Sequence, residues 1–157
     1  MSHQPEVLEM RTSDGVLFNV SLKLAQQMGL THNWLQTEHG ELRSSDDDDA
    51  NIMPLDRVSS EIFKLVLSWC HAIQGIQRSA DEKTRLQQDR DVFDNIIRES
   101  NASDATIFEL IMAADYLNIE GLLEAGTQHV ADVINSCDSV EAIRARFNIM
   151  CDSEMDN

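Results

Sequence analysis

Between Ser103 and Asn135 the chain carries two apolar stripes in succession, and this run constrains the fold more than any other stretch. In the first stripe Ile107, Leu110, Ile111, Ala114 and Leu117 recur at helical spacing; in the second Ile119, Leu122, Leu123, Val130, Val133 and Ile134 do the same. Residues so spaced share one side of a helix that turns once every ~3.6 residues. The phase breaks within Tyr116-Leu-Asn-Ile-Glu-Gly121, because Asn and Gly tolerate conformations that a straight helix does not. The run therefore predicts two helices joined at Asn118. Ser103 or Asp104 can cap the first by accepting its orphan N–H groups, and Thr106 with Glu109 offers a competing capping box.

The segment from Val7 to Val20 predicts a β-hairpin around Asp14-Gly15. A two-residue loop would set Met10 opposite Asn19 and split the apolar residues between faces. A three-residue loop, Ser13-Asp14-Gly15, pairs Thr12 with Val16, Met10 with Phe18 and Leu8 with Val20, leaving one face apolar apart from Thr12. A one-residue slip flips every side chain, so burial selects the longer loop, with Gly15 left-handed. Ser21 is positioned to cap a short helix through Met28, with Leu24, Ala25 and Met28 inward; Gly29 ends it, and a further turn carries Trp34 and Leu35.

Residues 38–51 read as a polar loop whose Asp46-Asp47-Asp48-Asp49 run predicts mobility through mutual repulsion. Its spacing is not that of a Ca²⁺ loop, which alternates its ligands and closes with a distal Glu. Ile52-Met-Pro-Leu55 reads as an edge strand, because Pro54 has no N–H for a ladder. Ser59 or Ser60 caps a helix to about Ile73 with Ile62, Val66, Trp69, Cys70 and Ile73 inward. Gly75 to Arg90 shows no periodic apolar pattern and reads as a charged linker; Val92, Ile96 and Ile97 then form a short amphipathic turn. Near the end, Asp138-Ser-Val-Glu141 resembles a capping box, with Val140, Ile143 and Phe147 on one face of a last short helix.

The formal charge of −16 repels phosphate and anionic lipid, which excludes nucleic acid and membrane as natural partners and favours basic surfaces. Cys70, Cys137 and Cys151 are an odd set without a C-x-x-C pair, as in a reducing compartment; with no signal peptide or spanning segment, cytoplasm and nucleus are expected. No Gly-rich phosphate loop, G-x-S-x-G or H-E-x-x-H occurs, and His3, His32, His39, His71 and His129 share no ligand spacing, so no enzyme, metal or cofactor is expected. Cys70 beside Trp69 and His71 reads as a small core hydrophobe.

The segment Thr106-Ile-Phe-Glu-Leu-Ile-Met-Ala-Ala-Asp-Tyr-Leu-Asn-Ile-Glu-Gly-Leu-Leu123 resembles the signature of the Skp1 family, the adaptor subunit of Skp1–cullin–F-box ubiquitin ligases. Ser13-Asp-Gly-Val-Leu-Phe18, Met53-Pro-Leu-Asp-Arg-Val58, the helix ending at Trp69-Cys70, and Glu141-Ala-Ile-Arg-Ala-Arg-Phe-Asn-Ile149 are similar to its other motifs. The resemblance implies an α+β fold: a BTB/POZ-like domain with a small sheet, followed by C-terminal helices. It divides the chain into a POZ-like region at 6–75, a charged linker with a short helix at 76–100, a helical F-box-binding and dimerisation region at 101–149, and a tail at 150–157.

As implied by the resemblance, Asp115 and Tyr116 face a cullin, and Leu123, Val130, Ile134, Ile143, Phe147 and Ile149 face an F-box. Asp115 stands where the family usually has Asn, exchanging an amide for a charged acceptor. The family usually continues past Phe-Asn-Ile into another acidic helix; this chain ends at Asn157, as expected of a divergent, C-terminally shortened member. The expected role is a non-catalytic adaptor between a cullin and F-box proteins. The alternative is a POZ-type module that self-associates as a homodimer or binds only one of the two partners.

Overall fold

The computed structural model describes residues 7–35 and 52–146; the acidic run at 46–49 and the positions of Phe147 and Ile149 lie outside them. Strands β1 (Val7–Thr12), β2 (Leu17–Ser21) and β3 (Ile52–Leu55) form a sheet in the order β2-β1-β3. Leu8 pairs with Val20 and Met10 with Phe18 in the antiparallel hairpin. The Thr12 amide donates to the Val16 carbonyl at 2.9 Å, and Gly15 has φ of 86°. The three-residue loop thus closes as burial requires: Leu8, Met10, Thr12 and Val20 are buried, and only Val16, at the loop's edge, faces water. β3 pairs parallel with β1 on the opposite edge, where exposed Pro54 sits across from Arg11.

Ser21 caps α1 (Leu22–Ala25) by accepting from the Leu24 amide at 3.2 Å. This helix stops at Ala25 rather than running through Met28, and Gly29 opens α2 (Gly29–Leu35) instead of closing α1. The cause is tertiary: the Gly29 amide donates to the carbonyl of Asn118 at 3.0 Å. A Cβ on Gly29 would lie 2.4 Å from the Asn118 side-chain nitrogen, so only glycine fits there.

Helix α3 (Ser60–Gly75) is capped by Ser59, whose hydroxyl accepts from the Ile62 amide at 3.3 Å. It buries Ile62, Val66, Trp69 and Cys70 as the stripe predicts, leaves Ile73 half-buried, and adds Phe63, which meets Phe18 edge-on at 5.0 Å.

The expectation of a charged linker with a short helix at 76–100 is corrected here, because α4 (Glu82–Ser100) is a helix of 19 residues. Asp81 caps it through the Thr84 amide at 3.0 Å, and Asn101 ends it in the left-handed conformation with φ of 54°. Only Asp89, Phe93 and Ile96 are buried along it, too few to show as a stripe in so polar a stretch. Val92 and Ile97, expected inward, are half-buried, and Phe93 occupies the centre instead.

Ser103 caps α5 (Asp104–Leu117) by accepting from the Thr106 amide at 3.2 Å, which settles the boundary left open by sequence. Asn118, with φ of 61°, ends α5 and turns the chain into α6 (Glu120–Asn135). Gly121 lies inside α6 rather than in the turn; its missing Cβ lets Asp89 and Trp69 approach to 3.1 and 3.3 Å of where one would stand. Residues 140–146 begin a further helix, capped by Ser139 through the Ala142 amide at 3.1 Å. Val140 is not on its inner face but is 69% exposed. The whole is α+β, with one core of Met10, Leu55, Phe63, Trp69, Phe93, Leu110, Leu117 and Leu122 joining sheet and helices.

Candidate docking surfaces on the carboxyl-terminal helices

Helix α5 turns Leu110, Ala113, Ala114 and Leu117 into the core, so Met112, Asp115 and Tyr116 fall together on its other side. Asp115 is exposed, Tyr116 half-buried and Met112 64% exposed. The left-handed turn at Asn118 folds α6 back beside them. Gly126 allows close approach, since a Cβ there would come within 2.6 Å of Ile111 Cγ1. Between the helices lies a groove of ≈ 610 Å³ lined by Arg57, Ile111, Met112, Asp115, Tyr116 and Leu123.

The two expected cullin-facing residues, Asp115 and Tyr116, therefore share one groove, and Leu123, assigned by sequence to the F-box side, lines the same groove. Leu123 and Val130 are half-buried against the core and Ile134 is 36% exposed. Their spacing puts all three on one side of α6. The opposite side of α6 is occupied by α4. There Arg90 meets Asp132 at 2.7 Å, His129 lies 3.7 Å from Asp94, and the Phe93 ring is 5.5 Å from the imidazole. Hydrogen bonds from Gln128 first, and Arg90 after it, hold Asp132 below the usual carboxylate range.

Ile143 is half-buried on the terminal helical segment. Arg146 anchors that segment to the start of α5, its Nε 2.9 Å and its terminal nitrogen 3.2 Å from the two carboxylate oxygens of Asp104. Such a two-point contact fixes direction as well as distance. Phe147 and Ile149 fall outside the described residues.

Burial pushes the Cys70 thiol up to about 12, which leaves it protonated and unreactive at neutral pH. Among the described residues, no group of three or more His, Cys, Asp or Glu could hold a metal, and no helix is long and apolar enough to cross a membrane. Sequence reasoning missed Met112 and Arg57. Helical phase alone could have found Met112, three residues before Asp115; nothing local connects Arg57 to this groove.

No family model matches the sequence. A "Skp1-related protein" of Caenorhabditis elegans is 32% identical over 146 residues, which cover 92% of this chain and 81% of that protein. "SKP1-like protein 10" of Arabidopsis thaliana is 35% identical over 143 residues, 89% of this chain and 82% of that protein. The "E3 ubiquitin ligase complex SCF subunit sconC" of Arthroderma otae is 30% identical over 149 residues, 92% of this chain and 84% of that protein. With 30–35% identity over about nine-tenths of its length, the chain belongs to the Skp1 family and is not an enzyme.

Proposed function

We propose that this chain is the adaptor of an SCF-type E3 ubiquitin ligase, bridging a cullin and F-box proteins in the cytoplasm and nucleus for ubiquitin-dependent protein degradation. The observation that carries the reading is the groove holding Asp115 and Tyr116 together, in a chain similar over nine-tenths of its length to a subunit named for that complex. Asp115 and Tyr116 would meet the cullin. Leu123, Val130, Ile134 and Ile143, with Phe147 and Ile149 beyond them, would meet the F-box; the four described are apolar and none is fully buried. Burying one Leu or Phe contributes about 1.5–3 kcal/mol, so a few such anchors hold a partner helix.

The test is co-purification of the full chain with a cullin amino-terminal segment and an F-box protein. Tyr116→Lys is expected to release the cullin and keep the F-box protein, and Phe147→Glu to do the reverse. Recovery of neither partner by the unaltered chain overturns the reading.

A further inference from the structure

The groove between α5 and α6 has an apolar floor and two charges at its rim. Ile111, Tyr116 and Leu123 line it half-buried, and Met112 is 64% exposed beside them. Asp115 and Arg57 are both exposed. Among the described residues neither side chain makes a hydrogen bond or an ion pair, with each other or with anything else. That sets Asp115 apart from Asp104 and Asp132, which hold Arg146 and Arg90 within the chain. A formal charge of −16 disfavours a second copy as occupant, since like charge would meet like. It favours a partner segment that brings positive charge.

We infer that the groove takes a helix presenting an apolar anchor beside a Lys or Arg, and that Asp115 is the residue that selects for that cation. The anchor seats against Ile111, Met112 and Tyr116, while the cation meets Asp115 at a rim that the bound helix partly dries. Arg57, which lines the same groove, disfavours a second cation beside itself. A partner with a neutral or acidic residue opposite Asp115 leaves the carboxylate desolvated and unpaired, which is the discriminating penalty. This inference rests on the cullin-facing reading of Asp115 and Tyr116 and adds the chemistry of the partner.

The experiment titrates the full chain with a cullin amino-terminal segment at about 50 and about 300 mM salt, a range over which exposed charge pairs are progressively screened. Asp115→Asn is expected to weaken binding roughly five- to tenfold at the lower salt and to flatten the salt dependence. Asp115→Arg is expected to weaken it further. A scan of single Lys or Arg→Glu changes in the segment should find one that binds the unaltered chain poorly and Asp115→Arg well. If Met112→Glu and Tyr116→Lys abolish binding while both Asp115 variants bind as before, selection by Asp115 is overturned and the adaptor reading stands. If the unaltered chain does not bind the segment, both fall. If light scattering shows a homodimer that Met112→Glu dissociates, the groove's occupant is a second copy and the inference is overturned. Asp115 is exposed and off the core, so circular dichroism and the urea midpoint should be unchanged in both Asp115 variants.

Discussion

The guanidinium of Arg78 stands 2.8 Å from the carboxylate of Asp89, whose side chain is only 7% exposed, at the junction of α3, α4 and α6. The contact is an ion pair without hydrogen-bond alignment at Oδ1. Burial against Trp69 and Gly121 raises the Asp89 pKa, and Arg78 pulls it back only in part. Asp89 therefore contributes stability below the unfolded carboxylate value that is lost as pH rises through its raised folded value. At neutral pH the pair tolerates the buried charge rather than profiting from it.

Arg78→Ala should therefore destabilise the fold by about 1–3 kcal/mol, less than for a fully buried pair because Arg78 is partly solvated. Adding Asp89→Asn should recover part of the loss, since the stranded charge is then gone. Urea midpoints at neutral pH check both; an unchanged midpoint for Arg78→Ala would contradict this account.

Phe93 is wholly buried on a helix that sequence reads largely as linker. Phe93→Ala should cost about 3–5 kcal/mol, as expected where a ring leaves a cavity that its neighbours cannot fill. A true linker would lose almost nothing, so the denaturant midpoint separates the two cases directly.

Gly29 faces Asn118 with no room for a Cβ. Gly29→Ala should cost about 1–3 kcal/mol through overpacking. Combining it with Asn118→Gly, which keeps the left-handed turn and removes the obstructing amide, should restore part of the stability. Thermal melting of the single and double variants checks the relief.

At the hairpin loop, Asp14 accepts from the Ser60 hydroxyl at 2.6 Å, the Ser60 amide at 2.8 Å and the Thr12 hydroxyl at 2.7 Å. These contacts pin the loop to the start of α3. They lower the Asp14 pKa to about 2, the Ser60 hydroxyl contributing most. Because the folded value is depressed, the contribution is full above the unfolded value of 3.8 and lost as pH falls through about 2. The gap in urea midpoint between the unaltered chain and Asp14→Ala should thus stay constant above about pH 4 and close toward pH 2.

Much of the fold was legible from local pattern. The hairpin register followed from one rule, that a one-residue slip would put Met10 and Phe18 on opposite faces of the sheet. The helix stop at Asn118 is a matter of backbone chemistry, which acts over a few residues, whereas the start at Ser103 was one of several caps that the sequence left open. The α4 helix was not legible, because a polar helix needs only a few inward residues when its caps and its neighbours support it. Phe63 escaped the predicted stripe of α3 because helical spacing allows adjacent residues to share a wide buried face.

By itself, then, the chain's order of residues determined the register of the hairpin, the paired carboxyl-terminal helices, and the family signature that names them. Those features depend on contacts and torsions close along the chain. Tertiary structure alone decided that Gly29 begins a helix under Asn118, that Asp89 is buried with Arg78 as its counter-ion, and that Arg57 joins Asp115 at one groove. Each of these joins segments far apart in sequence, and periodicity cannot report which distant side chains will meet once the core has closed.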